Sequence, residues 1–203
     1  MSDNTQDDHE WVDLGLPSGT LWATCNVGAT TPEEYGDYFA WGETEPKEVF
    51  TWDTYKWGNG SYNTLTKYCT INSFGYNGFV DNKTELDPED DAAYVIWGPS
   101  WRMPTKEQRD ELREKCAWSR TTQNGVDGRL VTGPNGNTLF LPHAGCRWYD
   151  FVSSAGSWCG SWTRTIISSD PYDAAYLYPD CGFAGWFAGN RASGFPVRAV
   201  RVP

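Results

Sequence analysis

Leu130-Val131-Thr132-Gly133-Pro134-Asn135-Gly136-Asn137-Thr138-Leu139-Phe140-Leu141 is the stretch on which the fold class turns. Two short runs of β-branched and large apolar residues flank a turn rich in Gly, Pro and Asn, the pattern of an antiparallel hairpin. Upstream, Thr105 and Gln108 are spaced as a capping box, and residues 106–116 read as a helix of good helix formers. Leu112 and Cys116 fall four apart and would share its core-facing side. A helix beside a hairpin, with no repeating strand–helix alternation, predicts the α+β class.

Working towards the N-terminus, residues 87–93 carry an N-cap, a proline and first-turn acids, so a short helix starts there. These acids match the helix dipole and lack the spacing of an EF-hand calcium loop. Residues 42–85 are rich in Gly, Asn, Thr, Ser and aromatics without periodicity and read as a long packed loop. Residues 38–41 read as a strand, residues 31–34 as one helical turn, and residues 11–14 and 21–24 as strands around a Pro17-Ser18-Gly19 turn. Residues 1–9 form a polar, disordered tail. Towards the C-terminus, residues 126–128 read as a turn, and residues 160–165, 174–178 and 196–202 as strands. No flexible linker or long repeat interrupts residues 10–203, so one domain is expected.

Residues 1–100 hold 18 acids against 4 bases, and residues 101–203 hold 9 acids against 12, within a formal net charge of −11. That balance opposes counterion-driven binding to phosphate backbones and anionic membranes, so neither nucleic acid nor a membrane surface is expected as a partner. The apolar runs are too short to span a bilayer, and the acidic start has no signal-peptide core.

The six cysteines, Cys25, Cys69, Cys116, Cys146, Cys159 and Cys181, include no Cys-x-x-Cys pair and read as free thiols. With His9 and His143 the only histidines, no zinc-ligand spacing arises, and no cofactor is expected. His143 is the one central candidate for a catalytic base and reads as an exposed loop residue. The glycines form no phosphate-binding fingerprint, and the abundant carboxylates read as solvated surface, so no catalytic residue is assigned.

Aromatic residues carry the functional signal. The chain has 12 Trp, 11 Tyr and 9 Phe, and the last 61 residues alone hold 12 of these rings. Half-exposed strands bury one face only, so such a set predicts rings in solvent, and exposed Trp and Tyr suit recognition.

Several runs resemble a known family. They are Trp11-Val12-Asp13-Leu14-Gly15-Leu16-Pro17-Ser18-Gly19-Thr20-Leu21-Trp22-Ala23-Thr24-Cys25-Asn26-Val27-Gly28-Ala29, Gly36-Asp37-Tyr38-Phe39-Ala40-Trp41-Gly42-Glu43-Thr44, Trp101-Arg102-Met103-Pro104-Thr105, Thr132-Gly133-Pro134-Asn135-Gly136-Asn137 and Val197-Arg198-Ala199-Val200-Arg201. Together they resemble the major paralogous domain of gut bacterial and phage proteins, over nearly the whole chain from residue 10. The resemblance implies a C-type-lectin-like fold of the formylglycine-generating-enzyme subtype, with short twisted antiparallel strands, one or two main helices and long ordered loops. Departures from the family pattern gather after the hairpin, at His143 and Cys146, across residues 158–165, and at positions such as Cys181. That distribution is similar to the variable proteins of diversity-generating retroelements, which hold a variable ligand-binding region near the C-terminus, here residues 143–200.

The implied contact set is Trp148, Tyr149, Asp150, Phe151, Trp158, Ile166, Ile167, Asp170, Tyr172, Asp173, Tyr176, Tyr178, Asp180, Phe183, Trp186, Phe187, Asn190 and Phe195. The rings would anchor, and Asp150, Asp170, Asp173, Asp180 and Asn190 would orient the ligand through hydrogen bonds. The implied partner is a protein or glycan on a cell or phage surface, with display at a cell surface, by secretion or on a virion. The rival expectations are a fixed structural or adhesin subunit and an oxidase relative using Cys159 and Cys181. Trp22, Trp41 and Trp101 are expected in the core.

Overall fold

Among the described residues, three antiparallel sheets of three strands each, a two-stranded ribbon and two α-helices give an α+β fold. The computed structural model describes residues 9–177 and 188–201. Strands β1 (Trp11–Asp13) and β2 (Leu21–Ala23) pair antiparallel, and β11 (Val200–Arg201) joins the other edge of β2 with Val200 opposite Trp22. The two ends of the described chain therefore close one sheet.

Helix α1 (Ala92–Trp97) starts at Asp91, whose buried carboxylate accepts the backbone N–H groups of Ala93, Tyr94 and Met103. Preceding it, residues 88–90 form a single 3₁₀ turn. Helix α2 (Lys106–Lys115) carries the expected capping box: Gln108 N donates to Thr105 Oγ1 at 3.2 Å, and Thr105 N to Gln108 Oε1 at 2.9 Å. Leu112 on this helix is fully buried.

The expected hairpin is β4 (Val126–Thr132) with β5 (Thr138–Pro142), extended on its far side by β3 (Ala117–Gln123). The turn expected at 126–128 lies instead at Asn124-Gly125, with φ of 48° and 83°. Asn and Gly are the residues that reach this left-handed region most readily. Strand β3 was not expected because, as a mostly exposed edge strand, it has no apolar alternation.

Two further expectations are corrected. Residues 31–34 form no helix; the Glu34 carboxylate accepts the N–H groups of Thr30 and Thr31 and holds a turn instead. Residues 38–41 form no strand beyond one bridge between Phe39 and Phe195, because this stretch is threaded through the core rather than laid along a sheet.

Beyond α2 the chain forms the ribbon β6 (Cys146–Trp148) and β7 (Phe151–Ser153), then the sheet β8 (Ser161–Ile166), β9 (Asp173–Leu177) and β10 (Ala188–Asn190). The main core gathers Trp41, Trp101, Trp162, Phe39, Tyr68 and Phe195; a second cluster joins Trp22, Leu112, Val131 and Leu139. As expected, Trp22, Trp41 and Trp101 have no exposed surface. Among the described residues no helix is long and apolar enough to cross a membrane.

The loop 42–85 is fastened by polar contacts that its composition disguised. Arg191, wholly buried, donates to Tyr55 Oη at 2.9 Å, to the carbonyls of Tyr68, Pro171 and Lys67 at 2.8–3.1 Å, and lies over the Trp41 ring. Lys67 reaches Asp87 and Asp90 at 2.8 and 2.6 Å, so the acids of 87–90 face a cation supplied by the chain itself. A second buried arginine, Arg198, donates to Asn26 Oδ1 and to the Ala23 carbonyl, and burial pulls its pKa down to about 10.

Candidate functional site

The ribbon β6–β7 pairs Trp148 with Phe151 and turns through Tyr149-Asp150. No Gly or Asn occupies that turn, yet Tyr149 adopts φ of 51°, a left-handed conformation that a bulky residue rarely takes. Two hydrogen bonds impose it: Phe50 N donates to Tyr149 O at 2.8 Å, and Tyr149 N to Phe50 O at 3.1 Å. One step back, Arg147 exchanges the same pair of bonds with Gly194 at 2.7 and 3.0 Å. The tip is thus held from two sides by main chain, and the Arg147 guanidinium adds a bond to the Asp150 carbonyl at 3.3 Å.

What the tip displays is apolar. Tyr149 is 61% exposed, Phe151 53% and Trp148 39%, with Val152 exposed beside them. At its foot lies a groove of about 120 Å³ lined by Phe50, Thr51, Trp52, Trp148, Tyr149 and Asn190. Asn190 turns Oδ1 inward to Ala192 N at 2.9 Å. The guanidinium of Arg147 lies against the Phe50 ring and stiffens the groove from below.

A larger cleft, of about 770 Å³, adjoins the start of β10. Ala188 lines the cleft and Asn190 the groove, two residues apart on one strand, so the two depressions flank about 6–7 Å of backbone. Ile166, Ile167, Asp170, Asp173, Glu85 and Glu107 all line the cleft, Glu85 being bridged to Thr165 of β8. Burial, and then the neighbouring Asp170, push the Asp173 carboxyl up to about 6. Tyr172, next to Asp173, sets its ring against Tyr62 and Phe74 at 5.7 and 5.3 Å.

The expected contact residues therefore divide. Trp148, Tyr149, Asp150 and Phe151 are exposed together at the tip, Asn190 lies in the groove, and Ile167, Asp170 and Asp173 in the cleft. Ile166 is buried to 3% and forms the cleft floor rather than a free contact. Phe195 is a correction: it is buried to 4%, its ring 4.2 Å from Trp162, because its backbone pairs with Phe39 in the core. Trp158 and Tyr176 are half-buried and pack on that same ring, at 5.3 and 5.1 Å, so they support the face from within. Tyr178, Asp180, Phe183, Trp186 and Phe187 lie outside the described residues, as does Cys181.

Phe50, Trp52, Tyr62 and Phe74 were missed, since they sit in the loop 42–85, which has no periodic signal to distinguish a buried ring from an exposed one. His143 is also corrected: it is buried to 2%, its Nδ1 3.3 Å from the Gly156 carbonyl, and burial pulls its pKa below the usual histidine range. The backbone of His143 continues the β5 pairing to Asp127, which carries the side chain inside. Burial pushes the Cys69, Cys146 and Cys116 thiols up, the last to about 11, away from the thiolate a nucleophile needs. The five described cysteines form no disulfide. Among the described residues no three His, Cys, Asp or Glu side chains are grouped to hold a metal ion.

No protein-family model, curated protein or solved structure matches the chain.

Proposed function

We propose that this chain is a ligand-binding protein of the diversity-generating-retroelement kind, with a C-type-lectin-like scaffold that presents residues 143–200 to a protein or glycan on a cell or phage surface. On this reading the domain binds and does not catalyse, needs no cofactor, and works at a cell surface, after secretion or on a virion. The observation that carries it is Tyr149. A non-glycine residue at φ of 51° is held against its own preference, and its ring is 61% exposed. A left-handed L-residue costs roughly 1–2 kcal/mol. A ring mostly in solvent returns little of that to the fold, whereas a strained, over-determined tip is what a preorganised contact requires.

Three features add support. Trp148 and Phe151 flank Tyr149 on the same tip, the groove below them is walled by further rings, and the tip is positioned through backbone bonds. Sequencing the DNA around the gene tests the reading. A near-copy of the segment encoding residues 143–200, differing mainly at adenines and lying beside a reverse transcriptase gene, is expected. A flanking region without such a copy would overturn the retroelement assignment.

A further inference from the structure

Among the described residues the cleft beside β10 carries a charge imbalance. Four carboxylates line it, Glu85, Glu107, Asp170 and Asp173, against one ammonium, Lys106. Lys106 is already bound to Asp110 at 2.9 Å, and Arg164, next along β8, already holds Glu85 at 2.9 Å. Glu107, Asp170 and Asp173 are left with no ion pair among the described residues.

The same cleft has an apolar floor, Ile166 and Ile167, and hydroxyls at Thr84, Thr165, Ser168 and Ser169. Its volume falls in the range of about 300–1,000 Å³ typical of ligand pockets. Uncompensated carboxylates over an apolar floor suit a ligand with a charged head on an alkyl stem, since the stem covers the floor while the head pairs with the acids. The exposed ring of Tyr149, in the neighbouring groove, favours an occupant longer than a single amine, and flat cationic heads also stack on such rings.

We propose that this cleft receives the basic side chain, arginine or lysine, of a partner protein, with its stem along Ile166 and Ile167 and its head between Asp170 and Asp173. The residues flanking that side chain lie over the groove and the tip. This rests on reading the face as the ligand-binding surface and adds the partner's chemistry to it. Asp170 and Asp173 set the preference for a cation, and Glu107 adds a further carboxylate to the same cleft.

The test uses the full chain, labelled at isoleucine methyl groups and titrated at pH 7.5 with acetyl-Gly-Arg-Gly-amide, with its glutamine counterpart and with agmatine. The arginine peptide should shift the Ile166 and Ile167 methyl resonances saturably, and the glutamine peptide should not. The Asp170→Asn/Asp173→Asn variant should bind about tenfold more weakly, two partly screened ion pairs being lost. Glu107→Gln, at an exposed position, is the second variant should that one fail to fold, and should also weaken binding. Overturning results are no shift with the arginine peptide, equal shifts with glutamine, or unchanged affinity in the carboxamide variants. Agmatine binding more tightly than the peptide would make the cleft a small-amine site and refute docking of a partner protein. None of these touches the retroelement assignment, which the flanking DNA decides separately.

Discussion

Replacing Tyr149 by Gly and by Ala separates the strain of the tip from the worth of its ring. Both substitutions remove the same ring, so their difference isolates the backbone at φ of 51°. Alanine keeps the left-handed penalty of roughly 1–2 kcal/mol, which glycine escapes. Glycine in turn loses about 0.4–1 kcal/mol through the greater freedom of its unfolded chain. Tyr149→Gly should therefore be more stable than Tyr149→Ala by about 0.5–1 kcal/mol, or ~2–3 °C in Tm for a chain of this size. Thermal unfolding followed by circular dichroism at matched concentration reads the difference directly. An alanine variant as stable as the glycine one would mean that the Phe50 bridge does not hold this residue left-handed, and the strain reasoning would fail. A wild type more stable than both by over about 3 kcal/mol would give the ring a core role and remove the observation on which the proposed function stands.

Asp173→Asn should stabilise the protein at neutral pH. The native carboxyl is raised to about 6 from an ordinary 3.8, so its favourable contribution is full below about pH 4 and lost as pH rises through 6. The variant's advantage should open over that window to about 1 kcal/mol, after allowance for solvent screening, and a pH-independent difference in urea midpoints would refute it. Arg191→Met should lose at least about 3 kcal/mol, because three loop carbonyls and the Tyr55 hydroxyl lose a buried donor. Arg191→Lys should recover less than half of that in urea denaturation, since one ammonium cannot span the planar fork. Leu112→Ala, at a fully buried position on α2, should cost about 3 kcal/mol in the same assay, and a loss under about 1 kcal/mol would show that α2 is loosely packed.

Local signals made part of the fold legible. The Thr105 capping box and the 130–141 hairpin are each complete within a dozen residues, so propensity and turn chemistry suffice. Strand β3 was hidden because its pairing is set by Asn124-Gly125 and by β4, while its own residues face solvent. The ribbon β6–β7 was hidden for the opposite reason: its turn uses Tyr149 where turn rules ask for Gly or Asn, and the bonds that force it come from Phe50, about a hundred residues away. At the face, the 12 rings of the last 61 residues were too many to be buried together, which signalled exposed rings without locating the tip. Nothing local separates Phe195 in the core from Phe151 in solvent, because that difference is made by the pairing of Phe195 with Phe39. The carboxylates that share the cleft with Asp173 were equally unreadable, as Glu85 and Glu107 arrive from other elements.

The way the tip is held bears on which of its side chains could vary. Arg147, Tyr149, Phe50 and Gly194 exchange backbone N–H and carbonyl groups, which every residue except proline provides in full. Side chains at 148, 150 and 151 take no part in those bonds, so these backbone bonds survive their replacement, although Trp148 also bonds the Cys146 thiol. The supports beneath follow the same logic. Arg191 bonds to loop carbonyls and to Tyr55, and Trp162 donates its indole N–H to the Phe39 carbonyl at 2.8 Å, all inside the framework. Side-chain specificity is thus concentrated in the core, on Trp41, Trp162, Arg191 and Arg198, while the exposed face is positioned mainly by main chain, with the Arg147 guanidinium as its side-chain support. Position 149 is the exception within that face, since its φ narrows the choice to residues tolerant of the left-handed region, and Phe50 and Gly194 are fixed because the Phe50 ring occupies the space a Cβ on Gly194 would need, 2.6 Å away. A scaffold divided in this way lets a recognition surface change its chemistry without renegotiating its fold, which is the physical condition the proposed function requires.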